Sequence, residues 1–163
     1  MSTTDRYSKP QIVLHWLIAL IIIFEWVSGD GMGRVFRARM DSGTIGLEGG
    51  TPHVWLGSIV FVLILIRIVL RWVQGAPGAL PGSSALMTKA AEWGHRVLYA
   101  LMIAAPALGA LAWYGGVNAA SELRETVANA LMIVALGHAV IAIWHQFIKR
   151  DGALNRMRLS AGR

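Results

Sequence analysis

The sequence predicts an all-α protein, a four-helix transmembrane bundle with both termini in the cytoplasm. Three observations carry this. Composition is 55% hydrophobic and only 15% charged, with positive mean hydropathy, which is unlike a soluble globular domain. The apolar residues fall into four runs, Pro10–Gly29, His53–Val73, Val97–Trp113 and Thr126–Ile148, each close to the roughly 20 residues a helix needs to cross the hydrocarbon core. Backbone amides inside lipid must be satisfied within their own segment, so the runs are helices and not strands. Finally, if the N-terminus is inside, eleven of the fifteen Lys and Arg residues lie on the inner side. That asymmetry sets the topology and accounts for the net charge of +6 without a nucleic-acid partner.

The 163 residues read as one membrane domain, 1–163, with helices over about 9–29, 52–73, 86–114 and 122–149. The first run carries His15, Trp16 and Glu25 and is too long for the apolar core of a cleaved signal peptide. It starts at Ser8-Lys9-Pro10, a capping serine with proline in the first turn, and stops at Gly29, Gly31 and Gly33. A basic, glycine-rich outer loop follows, up to Thr51-Pro52. The second run leads into "GAPGALPGSS" (75–84), turn chemistry in which Pro77 and Pro81 prevent helix continuation. The third helix starts amphipathically over Ala85 to Gly94, and Pro106 predicts a kink within it, beside Gly109 as a close-packing position. A short outer loop, "GGVNAASELRE", precedes the fourth run and is expected to cap it. The tryptophans, Trp16, Trp26, Trp55, Trp72, Trp93, Trp113 and Trp144, sit largely near helix ends, and an aromatic belt explains most of them without any cofactor.

All five histidines, His15, His53, His95, His138 and His145, lie in the spans or within about a turn of their ends. One such residue is explained by a hydrogen bond across helices; five spread over all four helices are not. The chain has no cysteine, which excludes disulfides, iron–sulfur clusters and covalent haem attachment. Near the spans the acids are Glu25 and Glu92, a poor supply for a hydrolytic zinc site. Haem iron held between imidazoles of facing helices fits better.

His138 and His145 are seven residues apart, hence nearly on one face and separated by about 10 Å of rise, so only one of them is expected as an axial ligand. His15, early in the first helix, and His138, in the inner half of the fourth, can face each other across a haem near the cytoplasmic side. His145 then lies below, beside His95. Interfacial imidazoles suit a quinone headgroup, whose oxygens take hydrogen bonds and protons; the alternative is two interfacial histidines without special role. His53 opens the second helix and is the natural ligand of an outer haem, with Gly57 one turn on letting a ring approach the backbone. Arg67 and Arg71, one turn apart, either snorkel to lipid phosphates or hold haem propionates.

The residues "RYSKPQIVLHW", "HVWLGSIVFVLILIRIVLRW", "PGALPGSSALMTKAAEWGH", "ETVANALMIVALGH" and "HQFIKRDGALNRM", in this order and over nearly the whole chain except the first outer loop, resemble the bacterial cytochrome b561 family that includes superoxide oxidase. The resemblance implies an inner-membrane protein with non-covalent b-type haem, one or two per chain, and electron exchange with ubiquinone at the cytoplasmic side. It implies His15 and His138 as inner-haem ligands, His53 as an outer-haem ligand, and His95 and His145 near the quinone. One position departs from the family pattern. Arg124 stands where the second outer ligand belongs, in "LRET" where the family reads "HET". Arginine stays protonated and is a very poor iron ligand. The outer haem is then five-coordinate through His53, borrows another ligand, or is missing, while Arg124 is available to a propionate or to Glu122. In the superoxide-oxidase version Arg34, Arg37 and Arg39 draw the anion to the outer loop; otherwise they are a solvated loop. The rival reading is an electron-transfer or anchor subunit serving a redox partner protein or a larger membrane complex.

Overall fold

The computed structural model describes residues 6–80 and 82–159; Pro81, read above, lies outside them, as does Arg163, one of the eleven inner-side basic residues. All regular secondary structure among the described residues is helical, without strands. Four long helices, α1 (Lys9–Ser28), α3 (Pro52–Gln74), α4 (Ala85–Gly115) and α5 (Asn118–Trp144), are joined by a short α2 (Met32–Asp41) and end in a π turn, His145–Lys149, and a 3-10 turn, Ala153–Met157. All four long helices have the length and composition to cross a membrane.

Local chemistry starts the helices. Ser8 accepts the Gln11 amide while the Gln11 side chain accepts the Ser8 amide, a reciprocal capping box that satisfies two otherwise orphaned donors. Thr51 caps α3 from the residue before Pro52, and Ser84 caps α4. The start of α5 differs from expectation. It begins at Asn118 and not near 122, and Val117 gives it no side-chain cap. α4 runs unbroken through Pro106, which removes one amide from the ladder.

The helices pack in the order α1–α3–α4–α5, with α4 against α5 the most extensive contact and α1 against α5 a light one. Among the described residues the buried apolar core is small. Ile18, Val60 and Ile64 join α1 to α3, with Met102 and Ile103 of α4 against them. Most other large apolar side chains on the spans are exposed, as a surface solvated by hydrocarbon requires. Polar ties supplement the packing, Ser58 with the Tyr114 hydroxyl at 3.0 Å and the Trp26 indole donating to Asn129 at 2.9 Å.

Arg6 and Tyr7 meet Asn155 and Arg156 at one end, called terminal here, and the Gly29–Thr51 connection lies at the other, the distal end. The distal connection is not a bare loop. Phe36 of α2 is buried with Ala112, Trp113 and Ala120, which seats α2 on the ends of α4 and α5. Arg39 is buried, lies 4.3 Å over the Trp113 ring, and donates to the carbonyls of Gly46 and Glu48. Trp113 is therefore a core residue and not part of the aromatic belt; the other six tryptophans are exposed.

Candidate functional site

At the terminal end, helix phase turns three imidazoles inward. His95 of α4 meets His138 of α5 edge to face, with ring centroids 5.2 Å apart, and His15 of α1 is close enough to both to feel their charge. The His95 Nδ1–H donates to the Ala91 carbonyl at 2.6 Å, which fixes its tautomer and leaves Nε2 facing the cluster. Arg67 of α3 is buried, donates to the Gln11 carbonyl at 2.6 Å, and acts electrostatically on all three histidines. Arg71 donates to the Tyr7 hydroxyl and lies 5.9 Å over the Tyr99 ring. Tyr7, Gln11, Arg67, Arg71 and Tyr99 line a shallow surface cleft. A guanidinium pair at its wall is chemistry for a carboxylate.

This donor set fits haem. Imidazoles from α1 and α5 stand on two helices that touch only lightly, without a carboxylate among them, and a buried cation sits near both. The axial pair would be His15 and His138, with Arg67 and Arg71 placed for the propionates.

The chain beyond α5 closes the same end. His145 donates from Nδ1 to the Asp151 carboxylate, and the Asp151 amide returns to the His145 carbonyl at 3.3 Å. The π turn makes this pairing possible, ending at Arg150 in the left-handed region. Burial pushes the Asp151 carboxyl up, but the hydrogen bond and charge of His145, the Ala153 amide and the Lys149 charge outweigh it and hold the carboxyl below the usual carboxylate range. The Trp16 indole donates to the Met157 carbonyl at 3.1 Å, Arg6 to the Asn155 carbonyl at 3.1 Å, and Arg156 to the Gly78 carbonyl at 2.6 Å. His145 thus faces Asp151, while the partner of His95 is His138. Asp151 escaped the sequence reading; its signal was an acid six residues after a histidine, across a helix end.

The distal end is built differently. His53 Nδ1 lies 3.2 Å from Glu25 Oε2 but without hydrogen-bond alignment, and Glu25 Oε1 and His53 Nδ1 are buried without a hydrogen-bond partner. Arg124 is close enough to both to act on them electrostatically. The notch at Gly57, read from sequence as room for a ring, faces the carboxylate; a Cβ there would stand 3.4 Å from Glu25 Oε2. At Gly109 a Cβ would meet the Arg124 side chain at 3.2 Å. One imidazole facing a carboxylate and a guanidinium does not fit a second haem.

Helical spans carrying inward imidazoles around a cationic cleft define a membrane haem protein of the electron-transfer class. The prokaryotic cytochrome b561 family model matches residues 6–159, and the chain belongs to that family, whose membership implies b-type haem in a multi-pass protein of the bacterial inner membrane. It is 38% identical to a cytochrome b562 of Cereibacter sphaeroides, over 96% of this chain and 98% of that one. It is 30% identical to cytochrome b561 homolog 1 of Escherichia coli, over 94% and 97%. It is 28% identical to a probable superoxide oxidase, CybB, of Yersinia pestis, over 93% and 95%.

Proposed function

We propose that this cytochrome exchanges electrons with a quinone at its terminal end, which faces the cytoplasm, and that His15 and His138 are the axial ligands of its haem. The observation that carries the reading is the convergence of His15, His95, His138 and Arg67 beneath the folded tail. Bound there, haem supplies a one-electron iron couple. The residues do the rest. His15 and His138 offer nitrogen lone pairs from opposite sides of the α1–α5 seam. Arg67 and Arg71 offset propionate charge, and burial of Arg67 makes that interaction stronger than it is in water.

Quinone reduction takes up two electrons and two protons, so the quinone oxygens need a donor whose proton is replaceable. His145, held through Nδ1 by Asp151, keeps Nε2 for that oxygen. Asp151 is a positioning residue here, since it acts through the imidazole.

Oxidation of superoxide is what the name of the Yersinia pestis relative states for that protein. Of the arginine trio, Arg34 and Arg37 are exposed and Arg39 is committed to Trp113 and two carbonyls. The absence of a second distal imidazole favours the quinone reading over a route starting at the distal surface. Stopped-flow mixing of the purified protein with a water-soluble ubiquinol analogue tests this. The haem bands should reduce in step with quinol oxidation, and a protein whose haem is inert to quinol overturns the reading.

A further inference from the structure

We propose that the distal end of this bundle holds no haem and is instead filled by the protein's own Glu25, His53 and Arg124 side chains. The inference rests on the reading that haem lies between His15 and His138.

The first ground is ligand chemistry. A six-coordinate haem needs a nitrogen lone pair on each face. α3 supplies His53, but the facing position on α5 is Arg124, whose guanidinium carries only donors.

The second ground is space. Three glycines on three helices each cradle one member of the cluster. A Cβ at Gly29 would stand 3.3 Å from His53 Cε1, at Gly57 3.4 Å from Glu25 Oε2, and at Gly109 3.2 Å from Arg124 Cδ. The notches that would admit a flat macrocycle are filled by the protein's own side chains. A five-coordinate haem on His53 would have to expel the carboxylate from the Gly57 notch and the arginine from Gly109.

The third ground is charge. A lone carboxylate or guanidinium at membrane depth is costly, and such groups are found paired. Arg124 lies close enough to act electrostatically on Glu25, and His53 Nδ1 lies 3.2 Å from the acid. Removing one partner strands the other, which is costly where a complete cluster is not. The three side chains come from α1, α3 and α5. Electron transfer is then confined to the terminal half, and the chain is a one-haem cytochrome with no relay across the bilayer.

Haem per polypeptide in the purified full-length protein, by pyridine haemochrome against amino-acid analysis, decides it. The expected ratio is about one, with the haem lost in His15→Ala and His138→Ala and fully retained, with an unchanged low-spin spectrum, in His53→Ala and Glu25→Gln. A ratio near two, or a high-spin second species that disappears in His53→Ala, overturns the inference and leaves the terminal site standing. A single haem that survives His138→Ala and disappears in His53→Ala overturns both. If His53→Ala fails to fold, the wild-type ratio and Glu25→Gln still decide.

Discussion

The two ends of this bundle are made from the same four helices and reach opposite outcomes. At the terminal end, His15, His95 and His138 share a space with a cation and no acid. At the distal end, a single imidazole is matched by Glu25 and Arg124. On the one-haem proposal, a family fold does not by itself fix cofactor number. What decides is whether facing helices present a pair of uncharged nitrogens or a set of compensating charges. The ends also differ in how they are closed. Tail and N-terminus meet through backbone carbonyls at the terminal end, whereas the distal end is sealed by a helix packed on Phe36 and Arg39.

The largest contrast lies in haem content. His138→Ala should abolish the low-spin b-type spectrum completely, and an intact spectrum would falsify the axial assignment.

Arg39→Ala probes the distal seal. It removes a cation–π contact and two charge-assisted bonds from a buried side chain, a loss of about 2–4 kcal/mol. The thermal midpoint in detergent should fall by several degrees, while the haem absorbance per protein stays unchanged. A variant as stable as the parent would show that α2 is not held by this residue.

Asp151→Asn should slow quinol-driven haem reduction about tenfold with full haem content, read by stopped-flow absorbance. The wild type supplies its own control through pH. A carboxyl held below its ordinary range stabilises the docked tail at neutral pH. That contribution is present above the unfolded carboxylate value and is lost as pH falls through the folded one. Limited proteolysis of the tail should therefore rise on acidification below the usual carboxylate range, and Asp151→Asn should show the same susceptibility at neutral pH.

The smallest effect is expected at the exposed arginines. Arg34→Gln with Arg37→Gln should leave the quinol reaction unchanged at low and high salt, because they face the end remote from it. A rate that drops and loses its salt dependence would tie the distal surface to turnover and break the contrast between the two ends.

Much of this was legible in the residues. Ser8-Lys9-Pro10 and Thr51-Pro52 announced their helices, because capping is local chemistry. α2 was not legible. Its glycines and arginines read as loop, and only burial of Phe36 and Arg39 against Trp113 makes a helix of them. The start of α5 was placed late for a similar reason, since Ala120 is ordered by packing on Phe36 and not by a cap. Arg124 was visible as a departure, yet its relation to Glu25 was not, because the two stand ninety-nine positions apart in sequence.

By itself the sequence determined four membrane spans, a cysteine-free imidazole chemistry and the family, because hydrophobic length, residue type and ordered motifs are properties of the chain alone. Only tertiary structure decided which imidazoles meet, that Glu25 occupies the notch at Gly57, that Arg39 holds the cap, and that Asp151 holds His145. Those are matters of helix rotation and close approach between distant segments, which no local pattern encodes.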